Sequence, residues 1–204
     1  MLNPITAQWL GRQDYPQQWQ ALQHHAKQLA NQQSHEIIYG CEHNPIYTTG
    51  KRGIDNRYTK TLPAPWIKTD RGGETTYHGT GQVMLYPIIH LRQRGVNIRQ
   101  YIEILEVSTI KLLKIYNIYA TRRCGKPGIW TNQGKIAAIG IRISRGVAYH
   151  GMALNVDVDM RYFNAINPCG LGLKAVNICD IQPQYPTLEG IFQAWSETFN
   201  KELI

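Results

Sequence analysis

GKIAAIGIRISRGVAYHGMALNVDV, residues 134–158, is the stretch whose reading decides the fold. It reads as two strands, Lys135 to Ser144 and Val147 to Val158. Side chains alternate between the faces of a strand. Ile139, Ile141 and Ile143 therefore share one face of the first strand, and Ala138 and Gly140 take the other. On the second, Met152, Leu154 and Val156 share a face, and Gly151 and Ala153 take the other. If the strands are neighbours, the small positions form a slot that a straight acyl chain or another extended ligand would fit. Small residues also admit a packing helix, and spacing alone leaves both readings open. Lys135 follows a glycine at the start of the first strand. Alone it is an ordinary solvated lysine; beside a thiol it can lower the thiol pKa and shuttle a proton.

Around this stretch, apolar residues recur at helical spacing over 15–33 (Tyr15, Trp19, Leu22, Ala26, Leu29). Glu36 to Tyr39 reads as a short strand. Residues 43–66, rich in Pro, Gly and Thr, read as a long functional loop. Strands are expected over 67–69 and 75–89, on either side of the Arg71-Gly72-Gly73 turn. Asn97 with Gln100 makes a capping box, and Ile98, Tyr101, Leu105, Leu112 and Tyr116 trace one face of the helix that follows. Ile129 to Thr131, then a turn at Asn132-Gln133-Gly134, lead into the opening stretch. A short helix is expected over 160–167 and a closing one over 188–200, with Leu188, Ile191, Phe192, Trp195 and Phe199 on one face. Strands and helices mix without strict βαβ alternation. The class is α+β with a largely mixed or antiparallel sheet. Neither linker nor repeat divides the chain, so residues 1–204 are expected to form one catalytic domain.

The 204 residues, 43% of them hydrophobic, suffice for one domain with a full core. The longest apolar run, Val83 to Ile89, is far short of the ~20 residues a bilayer span needs. Met1 to Leu10 lacks a basic region followed by an apolar stretch, so no secretory signal is expected and the protein is placed in the cytoplasm, off the membrane. A net charge of +8, from 22 basic and 14 acidic residues, suits nucleic acid or acidic proteins. The basic residues are scattered, with no run of five and no RNA-binding aromatic signature. An acidic protein partner therefore ranks above nucleic acid.

Four cysteines, Cys41, Cys124, Cys169 and Cys179, are widely spaced. They suggest neither a zinc ribbon nor, in a reducing compartment, a disulfide framework. The seven histidines are dispersed, without H-E-x-x-H or a Cys/His cluster, so no metal site is expected. Cys169 lies in Asn167-Pro168-Cys169-Gly170, where Pro168 fixes its own φ and Gly170 frees the chain just after the sulfur. Cys179, in the apolar Val176-Asn177-Ile178-Cys179, reads as structural. The other unusual segment runs from Arg71 to Gln82: Arg71-Gly72-Gly73-Glu74-Thr75-Thr76-Tyr77-His78-Gly79-Thr80-Gly81-Gln82. Paired glycines let a ligand approach the backbone closely, although an ordinary turn between strands has the same signature. No phosphate-loop pattern occurs in it. His78 and His150 are the two histidines in glycine-rich contexts; His24 and His25 read as surface residues.

Arg71-Gly72-Gly73 with Thr76-Tyr77-His78 and Gly81-Gln82, Gly134-Lys135-Ile136-Ala137 with Ile139-Gly140, His150-Gly151 with Ala153-Leu154-Asn155, and Pro168-Cys169-Gly170 together resemble the octanoyltransferase family of lipoyl synthesis. That family is related in fold to biotin and lipoate protein ligases. The match runs from about residue 40 to 175, in the family's order, and each piece is weak alone. The chain from Val176 onward matches no pattern. The resemblance implies a single mixed, curved β-sheet flanked by helices. It implies Cys169 as the acyl-thioester nucleophile and Lys135 as the residue that lowers its pKa. The substrate pocket falls on Arg71, Gly72, Gly73, Glu74, Thr75, Thr76, Tyr77 and His78, on Ala138, Ile139 and Gly140, and on Gly151, Met152 and Ala153. The implied donor is octanoyl-acyl carrier protein. The implied acceptors are lipoyl domains of 2-oxoacid dehydrogenase E2 subunits and the glycine cleavage H protein. No cofactor and a monomeric enzyme are expected. The rival on the same fold is an ATP-dependent lipoate or biotin protein ligase, which would need nucleotide and metal but not Cys169. A basic RNA-binding module is the rival from another class.

Overall fold

The computed structural model describes residues 4–53, 62–166 and 174–203. In chain order the elements are β1 (Thr6–Gln13), α1 (Tyr15–Ala30), β2 (Ile37–His43), β3 (Ile46–Thr49), β4 (Trp66–Lys68), β5 (Thr75–His78) and β6 (Gln82–His90). There follow α2 (Ile98–Ile115), β7 (Thr121–Arg123), β8 (Lys126–Trp130), β9 (Lys135–Ser144), β10 (Val147–Asn155), α3 (Met160–Asn164) and α4 (Leu188–Leu203). Seven strands form a curved mixed sheet in the order β1-β2-β6-β10-β9-β8-β7. Among the described residues its β1–β2 pair is parallel and its other strand pairs are antiparallel. A second sheet has the order β4-β3-β5. Among the described residues no helix is long and apolar enough to cross a membrane.

β6 lies inside the large sheet, and all nine of its residues are buried. Val83, Leu85 and Ile89 join Leu105 and Leu112 of α2 and Phe192, Trp195 and Phe199 of α4 in the main core. Met84, Tyr86 and Ile88 face the other way, toward Leu22, Ala26 and Leu29 of α1. A strand covered on both faces reads as an apolar run without alternation, which is what 83–89 shows. The Trp195 indole N–H is satisfied by the Thr109 hydroxyl at 2.8 Å. Local signals set the helix starts. Asp14 accepts from the Gln17 N–H at 3.2 Å, and the Asn97–Gln100 capping box forms as its sequence implies.

β9 and β10 are antiparallel neighbours, with Ala138 opposite Ala153, Ile139 opposite Met152 and Gly140 opposite Gly151. Pairing of β10 with β6 lapses between Ala148↔Ile89 and Met152↔Leu85. Pro87 lies in that gap and has no N–H to contribute to the ladder. Within the same gap His150 takes φ 60°, a left-handed conformation uncommon for a residue with a Cβ. Gly151 follows, and a Cβ there would overlap the Leu85 carbonyl.

Several boundaries differ from the sequence reading. Residues 43–66 include β3, whose buried Thr48 and Thr49 carry no apolar signal. The expected strand 75–89 is two strands in different sheets, split at 79–81. β1 and β7 have no clear period-2 pattern; β1 is interrupted by a register shift between Trp9 and Arg12. β10 ends at Asn155, α3 is confined to Met160–Asn164, and α4 runs on to Leu203.

Gly151→Ala is expected to destabilise the protein by roughly 1–3 kcal/mol, because the clash is with backbone that cannot rotate away. Guanidinium unfolding of the variant against wild type measures this; an unchanged midpoint would show that β10 relaxes freely at 151.

Candidate active site

The Arg71–Gly73 turn, β5, β9 and β10 enclose a cavity of about 110 Å³. The four small positions, Ala138, Gly140, Gly151 and Ala153, all line it, as do Ile139 and Met152. So do Arg71, Gly73, Glu74, Thr75, Thr76 and His78. Gly72 and Tyr77 are not in its wall. The Gly72 N–H donates to the Ile141 carbonyl at 2.9 Å, tying the turn to β9. Tyr77 packs with Tyr47 and Phe163 and stacks on Tyr162. Gly140 makes the close approach of the turn possible: a Cβ there would lie 3.1 Å from Arg71 Cδ and 3.2 Å from the Gly72 carbonyl oxygen.

Arg71 is buried and spends its donors locally. Nε and Nη2 donate to the Thr48 hydroxyl at 3.1 and 2.7 Å, Nη2 also to the Thr48 carbonyl at 2.6 Å, and Nη1 to the Gly72 carbonyl at 2.9 Å. The guanidinium thus fastens the turn to β3. Burial lowers its pKa from the usual value.

A polar chain runs across the cavity floor. Asn155 donates to the Val176 carbonyl at 3.2 Å, and Gln82 Nε2 donates to Asn155 Oδ1 at 2.9 Å. Gln82 Oε1 is left to accept from His78 Nδ1 at 2.8 Å. This order assigns the proton of His78 to Nδ1 and leaves Nε2 as an acceptor. His78 Nε2 is buried with no hydrogen-bond partner among the described residues. Burial first, then the nearby Arg71 charge, hold this imidazole well below its ordinary pKa, so it is neutral.

A second polar cluster centres on Asp70. Its carboxylate accepts from Trp19 Nε1 and His150 Nε2, each at 2.8 Å, from the Tyr149 hydroxyl, and from Gln23 Nε2 at 3.4 Å. Burial pushes the Asp70 carboxyl up, but the bonds from His150, Tyr149 and Trp19 outweigh it and hold it well below the usual carboxylate range. Burial lowers the His150 pKa despite Asp70, and Arg71 and Arg142 add to the fall. His150 is therefore a neutral donor, and it lines the cavity. Nothing in the sequence marks Asp70 beyond its place just before the Arg-Gly-Gly turn. Trp19 reads simply as a helix-core residue.

Lys135 lines the opposite end of the cavity, its Nζ 5.2 Å from the centroid of the Trp130 ring. The Lys135 N–H donates to the Lys174 carbonyl at 2.8 Å, and the Val176 N–H to the Lys135 carbonyl at 3.1 Å. Phe163 and Ala175 also line the cavity. Residues 167–173, and with them Cys169, lie outside the described residues. Of the other thiols, Cys41 is fully buried and held far above its ordinary pKa by burial, and Cys179 is half-buried and pushed up to about 11, first by burial and then by Asp157. Cys124 is exposed.

Residues 14–200 match the family model of the lipoyl protein ligase A/B catalytic domain, and the chain belongs to that family. It is 38% identical to an octanoyltransferase of Dichelobacter nodosus, over 95% of this chain and 96% of the relative. It is 42% identical to an octanoyltransferase of Thiobacillus denitrificans, over 86% and 80%. Among solved structures, a lipoate-protein ligase A bound with ATP superposes with a TM-score of 0.70 at 14% identity, covering 97% of this chain and 85% of that one. A biotin protein ligase from Aquifex aeolicus, in complex with biotin and ATP, gives 0.61 at 13%, covering 97% and 70%. At such identities the likeness is one of fold.

Acid should destabilise the protein well before its carboxylates titrate. His43 is fully buried, donates to the Gln13 carbonyl and accepts from Tyr86, and burial lowers its pKa to about 4. The unfolded chain takes up protons near pH 6.5 while folded His43, His78 and His150 do not, so stability falls as pH drops from 6.5 toward 4. Asp70, depressed in the fold, adds its own loss only below about pH 4. For His43 alone the loss at pH 5 is on the order of 2 kcal/mol. Melting temperature should fall by roughly 4 °C or more between pH 7 and pH 5; a flat profile would mean these imidazoles are charged in the fold.

Proposed function

We propose that this chain is an octanoyltransferase. It takes octanoyl from the thioester of octanoyl-acyl carrier protein, holds it on Cys169, and passes it to a lysine of a lipoyl domain. The observation that carries this reading is the slot of paired small residues that runs from the Arg71 turn to Lys135. The octanoyltransferase relatives, similar along nearly the whole chain, support the same reaction. So do the cysteines. Burial keeps Cys41 and Cys179 protonated, which unsuits both for thiolate chemistry. Support for Cys169 comes from its neighbours on both sides, since Phe163 and Ala175 face the cavity.

The steps balance without a cofactor, because a thioester is already activated. Lys135 as the amine takes the Cys169 proton, and the thiolate attacks the octanoyl carbonyl. The C–S bond to the carrier breaks, and its departing thiolate takes the proton back from Lys135. The acceptor lysine then attacks the new thioester as a neutral amine. The amide C–N bond forms, the bond to Cys169 breaks, and the amine proton passes through Lys135 to the sulfur. The +8 charge suits two acidic partners, a carrier protein and a lipoyl domain of an E2 subunit or H protein.

Incubation with octanoyl-carrier protein in the absence of ATP should add the mass of one octanoyl group to wild type and to the Cys41, Cys124 and Cys179 alanine variants. Cys169→Ala should remain unmodified; an octanoyl adduct on that variant rejects the assignment. Lys135→Ala should form the adduct roughly 10²–10⁴-fold more slowly. A requirement for ATP would favour the ligase reading instead. Transfer should also slow as ionic strength rises, and a salt-independent rate would count against acidic partners.

A further inference from the structure

The two ends of the cavity differ in kind. Lys135, Trp130 and Ala175 line one end. At the other, Gly140 on β9 and His150 on β10 are the last wall residues. Five strand residues, roughly 16 Å of extended chain, separate the Cα atoms of Lys135 and Gly140. Beyond Gly140 the Arg71–Gly72 backbone sits on β9, fastened by the Gly72 to Ile141 bond. The His150 ring is fixed at Asp70, and Asp70 is fixed in turn from α1 by Trp19 and Gln23 and from β10 by Tyr149.

We propose that this locked polar end is the acyl-length stop, with His150, held by Asp70, as the side chain against which the far end of the acyl group comes to rest. The inference rests on the acyl-transfer reading above and adds the residue that sets chain length. An apolar end wall could yield by changing rotamers. This one cannot yield cheaply, because moving the ring strips a hydrogen bond from the Asp70 carboxylate and offers a methyl group in exchange. The left-handed backbone at His150 points the same way, since strain of this kind persists only where the surroundings enforce it. A chain longer than the slot must displace His150. A shorter chain leaves apolar wall uncovered, and each methylene too many or too few is worth roughly tenfold or more in kcat/KM.

The test is competition. Equimolar hexanoyl-, octanoyl-, decanoyl- and dodecanoyl-carrier protein are offered together, and the acyl adducts on the enzyme are resolved by intact mass. Wild type should carry mainly octanoyl. His150→Gly accepts the left-handed φ and removes the ring. It should raise the decanoyl-to-octanoyl ratio by roughly tenfold or more. His150→Asn also tolerates that φ and should shift the ratio in the same direction by less, which keeps the test open if the glycine variant folds poorly. A ratio within about twofold of wild type in a variant that still forms adduct overturns the length stop. Equal loss of every chain length also overturns it, because His150 would then support the fold rather than measure the chain. No adduct of any length on wild type is a different failure: it sinks the Cys169 reading, and the length stop with it.

Discussion

Gly140 and Gly151 face each other across β9 and β10, and the two missing Cβ atoms set the rest of the site. On β9 the gap lets the Arg71–Gly72 backbone descend within hydrogen-bonding range of Ile141. On β10 it lets the chain pass the Leu85 carbonyl where Pro87 has already opened the ladder. A side chain at either position would lift the turn or push β10 away from β6. The Arg71 guanidinium then fastens the lowered turn to Thr48, so the small sheet is locked over the large one. The cavity is what remains between them.

The imidazoles and buried phenols around that space carry no charge. His43, His78 and His150 are neutral because burial outweighs their partners, and Tyr15 and Tyr149 are pushed up to about 12 and stay protonated. Among the described residues, the buried side-chain nitrogens and oxygens other than His78 Nε2 and Arg94 Nη1 have partners. The chain from His78 through Gln82 and Asn155 ends on the Val176 carbonyl, and Val176 in turn donates to Lys135. Side-chain identity at residues 78, 82 and 155 is therefore coupled to the backbone that carries the lysine. In a low-dielectric interior such a chain is stiff when complete and costly when broken. The unmatched His78 Nε2 stands out against this background, on a residue that lines the cavity.

The parts of the fold legible in the sequence were those with a period. The β9–β10 alternation gave the correct strand faces, and the Asn97–Gln100 box gave the start of α2, because each is a local rule with local residues. β3 escaped because two of its four buried positions are threonines satisfied by Arg71 and Trp66, a tertiary arrangement with no local trace. Residues 75–89 read as one strand although the chain changes sheets at Gly79-Thr80-Gly81, where two glycines flank an exposed threonine and mark a turn. The small positions could be singled out from pattern, whereas Lys135 took its role from the family resemblance alone. Asp70, Trp19 and Tyr149 could not, since they meet only through contacts 51 to 80 residues apart in sequence.

A fold shared with ATP-bound ligases does not choose a reaction, and this site shows where a choice can be built in. The Lys135 end is assembled by backbone bonds to residues 174–176, the continuation of the segment that carries Cys169. The His150 end is assembled by side chains around one carboxylate. The first arrangement ties the lysine's strand to residues 174–176 through backbone alone, so side chains there can change while the strands stay as they are. The second is fixed by α1, the Arg71 turn and β10 together, so it can change only if three elements change in concert. Under the proposals made above, reaction type and substrate length are borne by separate structures at opposite ends of the same two strands. On those proposals a change of reaction need not disturb the far end of the slot, whereas a change of chain length would have to break the Asp70 cluster.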